Sequence, residues 1–182
     1  MQTNLKEQNQ HSIGEGSHLN PKLLEIRRQF QAPVARLFEA FTSAEALKSW
    51  WWPEGLHADH IDYDFREGGK YFINMRGKVQ GKDASGGMMG EFEKIVQNER
   101  IVMTDSFADE NGRAISAREA GMSGEWPENI RITFAFEPAG AAASRLHLAQ
   151  QGIPEEMQKD CVQGWSESFD KLVRYLAGRK DF

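Results

Sequence analysis

Leu24, Ile26 and Phe30 alternate with Glu25, Arg27 and Gln29, the period of a β-strand over residues 24–30. Arg28 falls on the apolar side of that strand. It either snorkels out at the strand end or stands as a cation inside a pocket. After Pro33 the period changes to that of a helix, with Val34, Leu37, Phe38 and Phe41 recurring on one face. Thr42-Ser43-Ala44-Glu45 fits a capping box with Thr42 as N-cap, so a second short helix is expected, ending near Trp50. Trp50, Trp51 and Trp52 follow in succession before Pro53 stops the helix.

From Asp59 to Phe107 the period is two. Ile61, Tyr63 and Phe65 share one side and Asp62 and Asp64 the other, where solvent accounts for both carboxylates. Glu67-Gly68-Gly69-Lys70 reads as a turn into Tyr71, Ile73 and Met75. Eight of the 17 glycines lie between Gly55 and Gly90, which marks hairpins. Gly86-Gly87-Met88-Met89-Gly90 is read as a hairpin tip. Phe92–Val96 and Ile101–Phe107 predict two strands joined at Asn98-Glu99. Residues 113–129 are irregular; Ile130–Phe136 and Leu146–Gln150 supply the last strands.

Pro154 opens the longest helix, with Glu155 and Glu156 suited to its dipole. Met157, Cys161, Trp165, Phe169, Leu172, Val173 and Leu176 form one apolar stripe, and Gly178 ends it. A twisted antiparallel sheet with a single long helix buries both apolar faces only if the helix crosses the concave side. The fold class expected is therefore α+β: a curved antiparallel sheet of six or seven strands round a C-terminal helix. Two short helices plug one end, and a space remains between sheet and helix.

Residues 1–20 hold four apolar residues and no aromatic among the 19 of the chain, too little surface to offset the entropy of ordering. They are expected to be a flexible tail, and residues 21–180 a single domain. No apolar run reaches the ~18–20 residues of a membrane span, and no secretory leader is recognised, so a cytoplasmic location without membrane contact is expected. The one cysteine, Cys161, agrees with a reducing compartment. Formal net charge is −5, and no basic run exceeds a dipeptide, which excludes nucleic acid as the main partner.

Blocks along the chain resemble those of one family. They are Arg28-Gln29-Phe30-Gln31-Ala32-Pro33, Ala40-Phe41-Thr42, Trp50-Trp51, Arg66-Glu67-Gly68-Gly69, Glu93-Lys94-Ile95-Val96 and Thr104-Asp105-Ser106-Phe107. Gly121–Pro127 and Gly164-Trp165 with Leu172 complete the series. The family is named after the C-terminal domain of the activator of the heat-shock protein 90 ATPase, within the START-like, birch-pollen-allergen-like (SRPBCC) superfamily. The resemblance covers residues 22–180 and rests on the order and spacing of the blocks. It implies a helix-grip fold with, in many members, a cavity for an apolar or amphipathic ligand. It does not imply a single function.

Candidate chemistry is sparse. His57-Ala58-Asp59-His60 has metal-ligating residue types, but on a strand His57 and His60 point to opposite faces, so no metal is expected. Cys161 is expected to be a buried, inert thiol, since His147, the one candidate base, has the wrong parity. Nucleotide-binding, Walker, nucleophile-elbow and CxxC signatures are absent, and no cofactor is expected. The aromatics and methionines remain: Trp50, Trp51, Tyr63, Phe65, Tyr71, Phe92, Met103, Phe107, Phe134, Trp165 and Phe169 either fill a core or wall a pocket. Arg28, Tyr63 and Asp105 are the candidate polar anchors. The function expected is binding of an apolar or amphipathic small molecule between sheet and helix. A cyclase- or dehydratase-type enzyme and a chaperone-associated module are the alternatives, and a homodimer is compatible with all three.

Overall fold

A computed structural model describes residues 22–178; the expected tail, residues 1–20, lies outside them. Seven strands form one antiparallel sheet in the order β1-β7-β6-β5-β4-β3-β2. They are β1 (Leu23–Phe30), β2 (Leu56–Tyr63), β3 (Lys70–Val79), β4 (Lys82–Val96), β5 (Arg100–Ala108), β6 (Ile130–Pro138) and β7 (Ser144–Gln151). Helices α1 (Val34–Glu39) and α2 (Ala44–Lys48) join the two edge strands, and α3 (Glu155–Leu176) closes the chain. Every neighbouring pair is antiparallel, and only the β1–β7 pairing spans the length of the domain. This is the helix-grip architecture expected from the period changes.

Local chemistry corrects four readings. Ser43, not Thr42, caps α2: its hydroxyl accepts from the Ala46 N–H at 3.2 Å. Thr42 Oγ1 instead donates to Glu39 O at 2.8 Å, closing the end of α1. The glycine run 86–90 lies inside β4 rather than at a hairpin tip. The tip is Gln80-Gly81, both at positive φ (51° and 76°), the two-residue turn that matches strand twist. Glycine is required at 90 because an added Cβ would stand 1.9 Å from Thr104 O. Val173 is 42% exposed, and Ser168 takes a buried place on α3 instead.

A bulge between Ala58 and His60 also overturns the parity argument for the histidines. His57 and His60 are both exposed, and His60 Nε2 pairs with Asp62 Oδ2 at 2.9 Å.

The core sits between the sheet and the C-terminal half of α3. Phe41 packs on Trp50, Phe134 and Phe136 at 4.7–5.1 Å between ring centroids. Phe169 meets Phe30 at 6.0 Å and Trp50 at 6.5 Å. A second aromatic group, Tyr63, Phe65, Tyr71 and Phe92, fills the β2–β4 side, with Phe92 5.1–5.7 Å from the other three. These rings stop short of the N-terminal half of α3.

Candidate functional site: a cavity beneath the first turns of α3

Where the rings stop, a cavity of about 600 Å³ opens between the sheet and the N-terminal half of α3. Its depth comes from side chains that are missing. A Cβ at Gly86 would meet nothing within 4 Å, and one at Gly164 only Pro53 Cγ at 3.5 Å. The sheet contributes Met75, Gly86, Met88, Asp105, Phe107, Ile130, Ile132 and Gln150; α3 contributes Met157, Cys161, Gly164 and Trp165. The irregular segment 109–126 forms the remaining wall with Ile115, Met122 and Trp126. Trp126 is held there by its ring edge on Phe107 at 5.2 Å and by its N–H to Ser123 O at 2.7 Å. Buried Trp51, Ile132 and Gln150 grade to exposed Ser85, Glu119 and Asp160, so the cavity has a mouth. Its size and largely apolar wall are those of small-molecule pockets.

The thirteen residues singled out by parity divide four ways. Trp51, Asp105, Phe107 and Trp165 line the cavity. Trp50, Met103, Phe134 and Phe169 are packed core, each no more than 1% exposed. Tyr63, Phe65, Tyr71 and Phe92 make the second aromatic group, and Tyr63 spends its hydroxyl on Phe41 O at 2.8 Å. Arg28 lies away from the cavity: its guanidinium pairs with Asp170 and donates to Ser166 O, tying β1 to α3. Of the three candidate anchors, only Asp105 reaches the wall. Parity found the inward face but could not say which part of it the large rings would fill.

Asp105 is the buried acid of the site. Its carboxyl sits 3.0 Å from Tyr71 Oη, which is also 2.7 Å from Thr104 O. Burial pushes the Asp105 pKa up to about 7, against the hydrogen bonds from Tyr71 and the Ser106 backbone that favour the anion. Burial and the neighbouring carboxyl raise Tyr71 well above the usual phenol range. One phenolic proton cannot serve both acceptors. When Asp105 is protonated, Tyr71 donates to Thr104 O and accepts from the carboxyl; when it ionises, the two acceptors compete.

Gln150 and Asn74 are polar lining residues that the sequence reading missed. Gln150 accepts from Trp165 Nε1 at 3.0 Å and is 7% exposed. Asn74 is 3% exposed, with Nδ2 3.5 Å from Asp59 Oδ2 and Oδ1 unpartnered among the described residues. Their polar positions on otherwise apolar strands were the available signal. Cys161 lines the cavity, and burial, then Asp160, push its thiol up to about 11, away from the nucleophilic form. His147 faces the other side of the sheet chemistry, paired with Glu25 at 2.8 Å. Among the described residues, no group of three or more His, Cys, Asp and Glu is placed to hold a metal.

The family model described as activator of Hsp90 ATPase homolog 1-like protein matches residues 31–177. The chain belongs to that family. A Chromobacterium violaceum protein is 27% identical over 86% of this chain and 97% of its own, with a TM-score of 0.69. The AHSA1 protein of Silicibacter pomeroyi is 26% identical over 85% and 97%, with a TM-score of 0.68. A solution structure from Arthrobacter aurescens, at 22% identity, shares the fold with a TM-score of 0.70 over 91% and 92%. No curated protein matches the chain. The family assignment places the helix-grip domain in the START-like superfamily. No helix among the described residues is long and apolar enough to cross a membrane.

Proposed function

We propose that this member of the Hsp90-ATPase-activator-like family binds an apolar or amphipathic small molecule in the cavity beneath α3. The carrying observation is the cavity itself: about 600 Å³, walled by tryptophan, phenylalanine, methionine and isoleucine, with Asp105 and Gln150 as polar points. A domain that buries Trp50, Phe134 and Phe169 to 1% exposure or less yet leaves this volume open has the wall of a receptor. The exposed large hydrophobics among the described residues are Val79, on the β3–β4 hairpin, and Val162 and Val173, three turns apart on α3. A chaperone-docking module would need a contiguous apolar patch of several hundred Å². A cytoplasmic location belongs to the same proposal and rests on the single cysteine.

Native mass spectrometry of the protein purified from its own host tests the reading. The expected result is a retained small molecule released on denaturation. Titration with apolar probes should quench tryptophan emission, because Trp51, Trp126 and Trp165 line the cavity. Mass spectra of bare protein, with emission unmoved by any probe, would sink the proposal.

A second reading, a cyclase- or dehydratase-type enzyme, has one observation behind it. Asp105 is held at about 7 with Tyr71 3.0 Å away, and a general acid or base works best near the ambient pH. Recovery of the retained molecule chemically unchanged after prolonged incubation counts against it.

A further inference from the structure

The charges round the cavity are all of one sign. Asp105, Asp109, Glu110, Glu119 and Asp160 line it, and no Lys, Arg or His does so among the described residues. Two of the five are neutralised from outside the lining: Asp109 by Arg113 at 3.0 Å and Glu110 by Arg76 at 3.6 Å. Glu119 is held ionised by the Ser116 N–H and hydroxyl, both at 2.8 Å, with Arg113 acting on it through space. Asp160, on α3, makes no ion pair among the described residues. Within the walls, Asp105 lies across the β5–β6 ladder from Ile130, and Gln150 lies across the β6–β7 ladder from Ile132. Gln150 is 7% exposed; its oxygen is taken by Trp165 and its Nε2 has no hydrogen-bond partner among the described residues. The Gln150 amide thus keeps a donor free for a guest in the cavity, whereas the buried side-chain atom without a partner among the described residues is Asn74 Oδ1.

We infer that the cavity selects a cationic amphiphile, an organic amine or ammonium on an apolar body, with its cation at Asp105 and its apolar part against Trp51, Trp126 and Trp165. This rests on the reading of the cavity as a ligand site. An anionic amphiphile would bring its charge among carboxylates with no cation to receive it, which is costly in a partly desolvated cavity. A cation gains Asp105 inside, faces aromatic rings that attract positive charge, and passes Glu119 and Asp160 at the mouth. An oxygen on the same guest would use the Gln150 donor.

The test uses three probes with one tail: decylamine, decanol and decanoate, each below its aggregation concentration, titrated against the full-length protein by tryptophan quenching at neutral pH. Decylamine is expected to bind at least tenfold tighter than decanol, and decanoate weaker than decanol. In D105N the amine-to-alcohol ratio should fall towards one, with circular dichroism reporting that the variant is folded; a ratio that stays at the wild-type value in the folded variant overturns the inference. Should D105N fail to fold, the wild-type series still decides. If the Gln150 donor rather than the carboxylate set the preference, decanol or decanoate would bind as tightly as decylamine, and the inference is overturned. If none of the three binds, the cavity reading itself fails, and the inference falls with it.

Discussion

Replacing Asp105 by Asn should change how stability depends on pH, and the size of the change follows from the site. In the unfolded chain the carboxyl titrates near 3.8; buried beside Tyr71 it titrates at about 7. Between those values the folded protein holds a proton that the unfolded chain has released. The folded state therefore binds more protons, and unfolding free energy falls as pH rises through this window. The contribution is fully present below the unfolded value and is gone once pH passes the folded one. About three pH units at ~1.4 kcal/mol each amount to roughly 4 kcal/mol over the full span. From pH 5 to pH 8 the fall from this group alone is about 3 kcal/mol, since the slope ends near 7.

Asn keeps the shape but carries no titrating proton, so D105N lacks this slope. Urea unfolding of both proteins at pH 5 and pH 8, followed by tryptophan emission, isolates the effect as a difference in which all other groups cancel. D105N should gain on the wild type by about 3 kcal/mol between the two pH values. A difference that stays constant across that range refutes the assignment of Asp105 as a buried acid protonated below neutrality. The cation selection inferred above would survive such a result only through its own headgroup series.

Three further outcomes follow from the packing. G86A should fold as well as the wild type or gain up to ~1 kcal/mol, because its Cβ enters open space, whereas G90A should lose more than ~2 kcal/mol through overlap with Thr104 O; chemical denaturation compares them, and equal effects would refute the close-approach argument. S43A should cost roughly 1 kcal/mol by removing the α2 cap, while a larger loss in T42A, measured the same way, would restore Thr42 as the cap. W165A should cost about 3–5 kcal/mol and weaken any cavity ligand, since Trp165 both lines the cavity and contacts Trp51, Phe134 and Phe169 at 5.3–5.7 Å; undiminished binding in the folded variant would remove Trp165 from the site.

Period-two alternation from residue 59 onward, the helical period after Pro33 and the stripe on the last helix made the strands, the two short helices and the long α3 legible, because each follows from local backbone geometry. These patterns named Trp51, Phe107, Trp165 and Asp105 as inward residues, and all four reach the cavity. They also named Trp50, Phe134 and Phe92, which are core. Parity assigns a side of the sheet; it carries no information about depth or about what stands opposite. The errors share a cause. Thr42 fits the capping box in sequence, but the end of α1 engages it with Glu39 O, and the cap passes to Ser43. Gly86–Gly90 looked like a turn because glycine marks turns, yet Gly87 and Gly90 mark the close approach of β5 to β4.

What the sequence by itself determined is the α+β order of elements, their inward faces and the family to which the chain belongs, all properties of local period and block order. The tertiary structure alone decided that the large rings gather under the C-terminal half of α3 and leave a cavity under the other half. It also decided that Arg28 ties α3 to β1 instead of entering that cavity, and that among the described residues five acidic side chains and no basic one line it. Burial and charge at a point depend on residues far apart in the chain. Asp105 and Gln150 are 45 positions apart, yet they flank the same strand of one wall.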